Sequence, residues 1–271
     1  MATIGVFDSG VGGLSVWKEL YRALPGAEYI YFADNAYSPY GEKSAEQIQD
    51  RAREITDWLL FKGADIIVVA CNTATAAAIR TLREEYGTPS ERVRTVSRGR
   101  LDQVRFIGME PAVKPAALGT RTGVIGVLAT AGTLKASKYL QTKGRFADDV
   151  QIVEHVGEGF VELVEAGELA GPKAEATVRS SVEPLVAAGA DTIVLGCTHY
   201  PFLRGLIAKA AGEGVRLIDP APAVARQLMN EMKAAGLPLE SVGTGVPKML
   251  LKATGPDRVL HELFNLTWRA L

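Results

Sequence analysis

The sequence is poor in cysteine, in histidine and in long hydrophobic runs, and each shortage excludes a class of protein. Its 271 residues contain two cysteines and three histidines. These numbers do not suit a disulfide framework or a zinc site, which typically needs about four ligands. No apolar run reaches the roughly 18 residues that a membrane span needs. The first residues lack a basic segment followed by an apolar one, so we predict no secretory signal and a cytoplasmic protein with free thiols.

The charges of the chain are close to balanced. Thirty lysines and arginines face 31 aspartates and glutamates, which gives a formal net charge of −1. No overall field therefore favours nucleic acid or an anionic membrane, and we predict neither as a partner. With 47% hydrophobic and 23% charged residues, the composition is that of a globular protein. The length allows one large α/β domain or two smaller lobes.

Short β-branched runs alternate with amphipathic segments, which is typical of α/β folds around a mostly parallel sheet. We predict strands at 3–7, 28–33, 65–70, 104–107, 123–128, 150–153, 191–195, 215–218 and near 247–253. Helices are predicted at 13–23, 44–61, 73–86, 111–118, 132–141, 158–166, 173–188, 202–211, 221–234 and near 256–268. The arginine-rich segment 88–103 interrupts the alternation. We expect it to be a solvated surface loop rather than a basic patch for an acidic partner.

An internal repeat relates the two halves of the chain. Residues 63–73 read GADIIVVACNT and residues 189–199 read GADTIVLGCTH, so one cysteine of each half falls in register. Upstream, IGVFDSG at 4–10 resembles IGVLATA at 125–131. Because duplicated halves usually pack about a pseudo-two-fold axis, we expect two pseudo-symmetric α/β lobes with the active site in the cleft between them.

Both cysteines stand where a buried strand is followed by a helix. In open α/β sheets this carboxyl edge is where ligands bind. A polar pair suited to the first turn of a helix follows each of Cys71 and Cys197. Free amide groups in such a turn stabilise a thiolate and attract a carboxylate ligand. A buried structural cysteine is the alternative, but it does not explain why both cysteines share one repeated position.

Two like thiols that face each other suit inversion at a carbon centre. Inversion needs a base on one face and an acid on the other, and a tuned thiol takes either role near neutral pH. A Cys-X-X-Cys redox motif is absent, and a single nucleophile would leave the second cysteine unexplained. A thiol redox protein, in which the two cysteines form a reversible disulfide, is the competing interpretation.

The loops after the first two predicted strands carry further polar candidates. Residues 8–13 read DSGVGG, in which glycines let the backbone approach a ligand while Asp8 and Ser9 anchor polar groups. The segment is not G-x-G-x-x-G, so no dinucleotide site is predicted. Residues 34–41 read DNAYSPYG, a turn in which Tyr40 is a candidate to cover a ligand. Taken alone, each loop is also compatible with a purely structural turn.

Several segments resemble the signature segments of the glutamate racemases. They are FDSGVGGLSV at 7–16, FADNAYSPYG at 32–41, VACNTATA at 69–76 and GCTHYPFL at 196–203, with weaker matches in FVELVE at 160–165 and IDPA at 218–221. The paired CNTA and GCTHYP motifs are specific for the aspartate/glutamate racemase superfamily, and DSGVGGLSV with PYG points to its glutamate branch. The resemblance implies a racemase that uses neither pyridoxal phosphate nor metal and supplies D-glutamate for peptidoglycan biosynthesis, hence for cell wall and cell shape.

The resemblance also implies a role for each matching residue. Cys71 would remove the α-proton of D-glutamate and Cys197 that of L-glutamate, while the other thiol reprotonates the opposite face. Asp8 would assist Cys71, and His199 and Glu165 would assist Cys197. The implied substrate-binding residues are Asp8, Ser9, Tyr40, Gly41, Asn72, Thr73, Thr130, Thr133, Thr198 and His199, with Asp34 as another acid near the site. For Thr130 and Thr133, helix capping is an equal alternative.

The family resemblance further implies a homodimer and a discontinuous first lobe. We therefore place the first lobe at 1–110 plus 220–271 and the second at 111–219. Racemisation of aspartate, or of another acidic amino acid, by the same chemistry competes with the glutamate activity. An interaction protein with a vestigial racemase site is the alternative of another class.

Overall fold

The computed structural model describes residues 1–239 and 245–271, which divide into two compact units. The first unit comprises Met1–Met109 and Ala221–Leu271, and the second comprises Glu110–Pro220. Each unit contains one parallel sheet flanked by helices, so the predicted α/β class is confirmed. Within the described ranges, no helix combines the length and the apolar character that a membrane crossing requires.

The strands follow the predicted ones closely. They are β1 (Thr3–Asp8), β2 (Glu28–Ala33), β3 (Ile66–Val69), β4 (Arg105–Ile107), β5 (Val124–Ala129), β6 (Gln151–Val156), β7 (Thr192–Gly196), β8 (Arg216–Ile218) and β9 (Met249–Ala253). The central strands β1, β3, β5 and β7 are almost wholly buried. Burial on both faces explains why they read as continuous apolar runs rather than as alternating ones.

Helices lie between successive strands and return the chain to the other end of the sheet, so that paired strands run parallel. They are α1 (Leu14–Ala23), α2 (Ala45–Phe61), α3 (Asn72–Tyr86), α4 (Glu91–Val96), α5 (Val113–Ala117), α6 (Ala131–Lys135), α7 (Ser137–Gly144), α8 (Phe160–Glu165), α9 (Pro172–Ala187), α10 (Arg204–Ala211), α11 (Ala221–Ala234) and α12 (Arg258–Arg269). Short 3-10 turns lie at Asn35–Tyr37, Tyr40–Glu42 and Tyr200–Leu203. The longer helices bury one apolar face against a sheet, as their helical period predicts.

The sheets of the two units share the order of four strands, and the first has a fifth strand, β9, at its edge. The first has the order β4-β3-β1-β2-β9, and the second, counted from β8, has the order β8-β7-β5-β6. The register also agrees, because Ile4 pairs with Ile66 in the first sheet and the repeat-equivalent Ile125 pairs with Thr192 in the second. The repeat in the sequence is therefore a repeat of strand order and register.

The aspartate of each GAD triplet ties down the amino-terminal edge of its sheet. In the first unit, Asp65 accepts a hydrogen bond from the amide of Thr3 at 2.9 Å. In the second, Asp191 accepts from the amides of Arg121 and Thr122 at 2.6 and 3.0 Å and from the hydroxyl of Thr120 at 2.7 Å. Although burial opposes it, these hydrogen bonds lower the pKa of Asp191 to about 2. The triplet is thus structural and lies at the edge opposite to the cysteines.

The segment 88–103 is more ordered than the predicted solvated loop. It contains α4, whose first turn is capped by Ser90 and whose Val93 is buried in the core of the first unit. Three of its four arginines form ion pairs within the unit, Arg92 with Asp57 at 2.8 Å, Arg94 with Asp102 at 2.6 Å and Arg100 with Asp65 at 2.9 Å. The prediction of a loop was wrong for Glu91–Val96, because burial of Val93 and the pair between Arg92 and Asp57, 35 positions away, stabilise a helix that the local sequence does not suggest.

A second difference concerns the predicted helix at 132–141. The structure has two helices there, α6 and α7, because the backbone at Ala136 is extended, with φ −68° and ψ 132°. Thr133 is buried at this break. The apolar spacing of the segment is compatible with one helix, and only the surrounding packing decides where the chain bends.

Candidate active site

Cys71 caps the amino terminus of α3, immediately after β3. Its backbone is extended, and its Sγ accepts a hydrogen bond from the amide of Ala74 at 3.4 Å. The same sulfur lies 3.6 Å from Oγ of Ser9, in the loop that follows the neighbouring strand β1. Only 5% of Cys71 is exposed. An amide donor at the positive end of a 15-residue helix favours the thiolate form of this side chain.

Asp8 is the last residue of β1 and is completely buried. Its Oδ2 accepts a hydrogen bond from the amide of Gly13 at 2.8 Å. A side chain at Gly13 would lie 2.7 Å from Cβ of Asp8 and 2.8 Å from the hydroxyl of Tyr31, so position 13 requires glycine. The DSGVGG loop is therefore folded tightly over the end of β1, and it presents Ser9 to Cys71.

The loop after β2 holds a buried ion pair. Asp34 is inaccessible to solvent, and its Oδ2 accepts a hydrogen bond from the hydroxyl of Tyr40 at 2.5 Å. Arg51 of α2 donates Nη2 to Oδ1 at 2.7 Å and Nε to Oδ2 at 3.0 Å. The hydroxyl of Tyr40 is thus engaged by Asp34. Gly41, next to it, is half-buried.

Arg51 is a residue that sequence reasoning missed. A signal was present, because Arg51 stands three positions after Ile48 and four before Ile55, both of which are buried. A charged residue on the apolar face of a helix needs a partner of opposite charge. That partner, Asp34, lies 17 positions earlier in the chain, so local pattern does not identify it.

Asn72, the first residue of α3, is also buried. Among the described residues, neither its Nδ2 nor its Oδ1 has a hydrogen-bond partner. A buried polar group without a partner costs about 1–3 kcal/mol, so natural proteins rarely leave one without reason. An amide that lacks partners beside Cys71 fits a ligand that both accepts and donates hydrogen bonds. Thr73, which follows, is half-buried.

In the second unit, Cys197 follows β7 and is the first of three side chains that contact one another in a row. His199 is almost completely buried, and its Nδ1 lies 3.7 Å from Sγ of Cys197. Its Nε2 lies 2.6 Å from Oε1 of Glu165, the last residue of α8. Burial alone would lower the pKa of His199, but its hydrogen bonds to Cys197 and Glu165 raise it well above the usual value. A protonated imidazole in this position stabilises a thiolate.

The predicted threonines of the second unit lie around the same strand ends. Thr130 caps α6 by accepting a hydrogen bond from the amide of Thr133 at 3.3 Å, so the capping alternative is present in the structure. Its Oγ1 is also 3.0 Å from Oγ1 of Thr133. Oγ1 of Thr198 lies 3.5 Å from Nδ1 of His199. In the repeat, Thr130 occupies the position of Ser9.

Each unit therefore gathers its predicted site residues at the carboxyl edge of its own sheet. The first gathers Asp8, Ser9, Asp34, Tyr40, Gly41, Cys71, Asn72 and Thr73. The second gathers Thr130, Thr133, Glu165, Cys197, Thr198 and His199. In each set, a buried thiol contacts groups that hydrogen-bond to sulfur. Such thiols are equipped to take up and release a proton.

The chain matches a known protein family over most of its length. The family model for the Asp/Glu/hydantoin racemases matches residues 4–228. The chain is also 48% identical over 267 residues to a glutamate racemase of Pseudomonas aeruginosa, an alignment that covers 98% of this chain and 94% of the relative.

Solved structures give the same result. A glutamate racemase isoform of Bacillus anthracis superimposes with a TM-score of 0.80 at 30% identity, covering 100% of this chain and 94% of that one. A glutamate racemase of Escherichia coli, in complex with L-glutamate and the activator UDP-MurNAc-Ala, superimposes with a TM-score of 0.77 at 32% identity. That alignment covers 98% of this chain and 95% of the other.

Proposed function

Because the chain belongs to the Asp/Glu/hydantoin racemase family, we propose that it interconverts L- and D-glutamate by a two-base mechanism. One observation carries the mechanism: the two buried thiols occupy the same topological position in the two units, each beside groups that stabilise a thiolate. The curated relative and the solved structures support glutamate as the substrate.

In the proposed reaction, protons move between sulfur and the α-carbon. The Cys71 thiolate takes the α-proton of D-glutamate, and the electron pair of the broken C–H bond stays on the α-carbon. The Cys197 thiol then gives its proton to the opposite face, which yields L-glutamate and a Cys197 thiolate. The reverse direction uses the same steps in the opposite order. Each turnover exchanges which sulfur is protonated, and either a reverse turnover or proton exchange with water restores the starting state.

The difficult part of this chemistry is the weak acidity of the α-proton. Charge that develops on the substrate must be stabilised by oriented hydrogen bonds in a site from which water is excluded. The amide of Asn72, which has no partner within the described residues, is suited to bind a polar group of the substrate. In the second unit, Glu165 keeps His199 protonated over a wider pH range, and the imidazolium stabilises the Cys197 thiolate.

The proposal extends to the setting of the reaction. We propose that the D-glutamate formed in this reaction serves peptidoglycan synthesis in the cytoplasm. We also propose a homodimer. The family resemblance supports these points, and no step of the proton transfer depends on them.

Exchange of the α-proton with solvent tests the activity and its substrate. The wild-type protein is incubated in D2O with each enantiomer of glutamate and of aspartate, and NMR follows deuterium incorporation while circular dichroism follows inversion. We expect both with glutamate. Faster exchange of aspartate would favour the aspartate racemase alternative, and no exchange with any of the four would favour an interaction protein with a vestigial site. The double variant C71S/C197S controls for contaminating racemases.

A further inference from the structure

The ion pair between Asp34 and Arg51 compensates a charge in the interior of the first unit. Asp34 has no exposed side-chain surface, whereas the side chain of Arg51 is 17% exposed. A carboxylate in such a place is tolerated only when a partner of opposite charge and further hydrogen bonds compensate it. Arg51 supplies two donors and Tyr40 a third. Arg51 itself stacks on the ring of Tyr37, 4.0 Å from its centroid.

This pair is linked to the thiol of the first unit through Tyr40. The ring of Tyr40 is buried in the same core cluster as Cys71. Burial, the negative charge of Asp34 and its hydrogen bond, and the charge of the Cys71 thiolate all raise the pKa of Tyr40, while Arg51 opposes them. The phenol therefore stays protonated and donates to Asp34. The 3-10 turn that begins at Tyr40 contacts α3, the helix that Cys71 caps, and the hydroxyl of Tyr40 donates to Asp34, so a change in the charge of Asp34 occurs close to the thiol.

We propose that Arg51 is a positioning residue for the Cys71 half of the reaction. It cancels the charge of Asp34, so that this aspartate adds no net negative charge near Cys71, and it fixes Asp34 as the acceptor that holds Tyr40 in place. Asp34 is then an anchor rather than a proton carrier, because its oxygens are occupied by Arg51 and Tyr40. The inference rests on the proposed racemase function, since it concerns the same thiol.

The charged and titratable groups around this array come from β1, from the loop after β2 and from α2. Asp8 lies at the end of β1, Tyr40 in the loop after β2, and Arg51 on α2, which also carries Glu54 in contact with Arg51. Tyr37 covers the guanidinium. Substitutions of Arg51 and Asp34 change the charge of this array by one unit in opposite directions. If Arg51 compensates the charge of Asp34, the two substitutions should therefore shift the pH profile of kcat in opposite directions. Loss of packing alone does not produce opposite shifts.

The test compares pH profiles of kcat and KM with D-glutamate for the wild type, R51L, D34N and the double variant R51L/D34N. R51L leaves a buried negative charge, which disfavours the thiolate and moves the rising limb of kcat by about one unit to higher pH. D34N leaves a positive charge and moves the limb by roughly the same amount to lower pH. The double variant restores neutrality, and its limb lies close to that of the wild type.

Two further variants separate charge from structure. R51K keeps the charge but loses the two-pronged contact, so we expect a raised KM and an unmoved limb. R53L is the matched control, because Arg53 lies on the same helix and makes a comparable two-pronged contact with Glu85, at 2.8 and 2.9 Å. R53L should lower thermal stability without moving the limb. If R51L fails to fold, D34N and R51K still carry the test, because an unmoved limb in D34N or a moved limb in R51K would also overturn the role of Arg51.

Shifts of the same sign in R51L and D34N would overturn the role of Arg51, as would a shift in R53L equal to that in R51L. Failure to restore the limb in the double variant would also overturn it. These outcomes are distinct from failure of the proposed function, which would appear as absence of glutamate turnover in the wild type. The Arg51 and Asp34 variants are compared only once the wild-type protein has been shown to turn over glutamate.

Discussion

The two halves of the repeat place their cysteines after equivalent strands, but the helix and the side chains next to each sulfur differ. Cys71 caps a 15-residue helix and contacts Ser9. Cys197 precedes a 3-10 turn, and its sulfur contacts His199, which in turn contacts Glu165. Strand order therefore determines where each sulfur lies, while side chains on neighbouring loops determine the proton affinity of each thiol.

The positions that differ in the repeat account for this contrast. Asp8 in the first half corresponds to Ala129 in the second, and Thr73 corresponds to His199. The first half thus has a buried carboxylate at the end of its first strand and a helix amide on the sulfur. The second half has alanine at that position and an imidazole whose pKa is raised by its hydrogen bonds to Cys197 and Glu165. A helix terminus and an imidazolium are two ways to stabilise a thiolate.

The equilibrium between the two enantiomers limits which kinetic constants can reveal the difference between the two thiols. D- and L-glutamate are mirror images with equal free energies in water, so the equilibrium constant of racemisation is one. For every variant, kcat/KM must then be equal in the two directions. Differences between the thiols appear in the separate values of kcat and KM, in their pH dependence, and in isotope exchange without inversion.

The largest effect is expected from replacing one thiol at a time. C71S and C197S should each lose racemisation in both directions by roughly a hundredfold or more, because each direction needs both a base and an acid. The remaining thiol, however, still removes a proton from one enantiomer. In D2O we expect C197S to exchange the α-proton of D-glutamate and C71S that of L-glutamate, both with retention, as followed by NMR.

The enantiomer that exchanges identifies the base in each half. If C197S exchanged only L-glutamate, the two assignments would have to be reversed. If each variant exchanged both enantiomers equally, the two thiols would not act on opposite faces, and the two-base mechanism would be wrong. The C71S/C197S double variant provides the background rate.

A smaller effect is expected from breaking the contact between Glu165 and His199. In the wild type, hydrogen bonds raise the pKa of His199, so the imidazole stays protonated to higher pH. E165Q removes the carboxylate, lowers that pKa, and deprotonates His199 earlier as the pH rises. We expect kcat with L-glutamate to fall by roughly tenfold above neutral pH, equivalent to about 1.4 kcal/mol, and to recover partly at lower pH.

The matched control for this prediction is E162Q. Glu162 lies on the same helix α8 and is exposed, so its replacement removes the same charge without touching His199. Its pH profile should follow the wild type. A fall of kcat in E165Q that is equal at all pH values would mean that Glu165 acts on packing alone.

The smallest effect on catalysis is expected from replacing Asp65 and Asp191, the aspartates of the two GAD triplets. These substitutions test the stability of each unit. The pKa of Asp191 is lowered in the folded state, so its contribution is present above about pH 4 and is lost as the pH falls towards 2. D191N should therefore destabilise the second unit by about 1–3 kcal/mol near neutral pH, with little change in kcat. D65N is the matching change in the first unit.

The distribution of tryptophan makes this comparison measurable. The three tryptophans of the chain, Trp17, Trp58 and Trp268, all belong to the first unit. Urea unfolding followed by tryptophan fluorescence therefore reports the first unit, and far-UV circular dichroism reports both. We expect D65N to shift the fluorescence transition and D191N to shift mainly the dichroism transition. Equal shifts of both signals in both variants would show that the units unfold together.

Much of the fold follows from local pattern. Apolar runs of four to six residues between amphipathic segments locate every described strand to within a few residues, because burial on both faces imposes the same composition on each central strand. The repeat of GAD and cysteine likewise predicts equivalent places in two sheets. Helix α4 and the break at Ala136 escape this reasoning, since they depend on what packs against them.

The sequence by itself determined which residues stand at the strand ends, and hence that Cys71 and Cys197 occupy corresponding places. Only the tertiary structure decided which side chains reach each other there. Asp34 meets Arg51 across 17 positions, and His199 meets Glu165 across 34. Such pairs depend on the packing of separate loops and helices, which periodicity does not record. Proton affinity is therefore a property of the folded chain, because it depends on burial and on charges brought from distant positions.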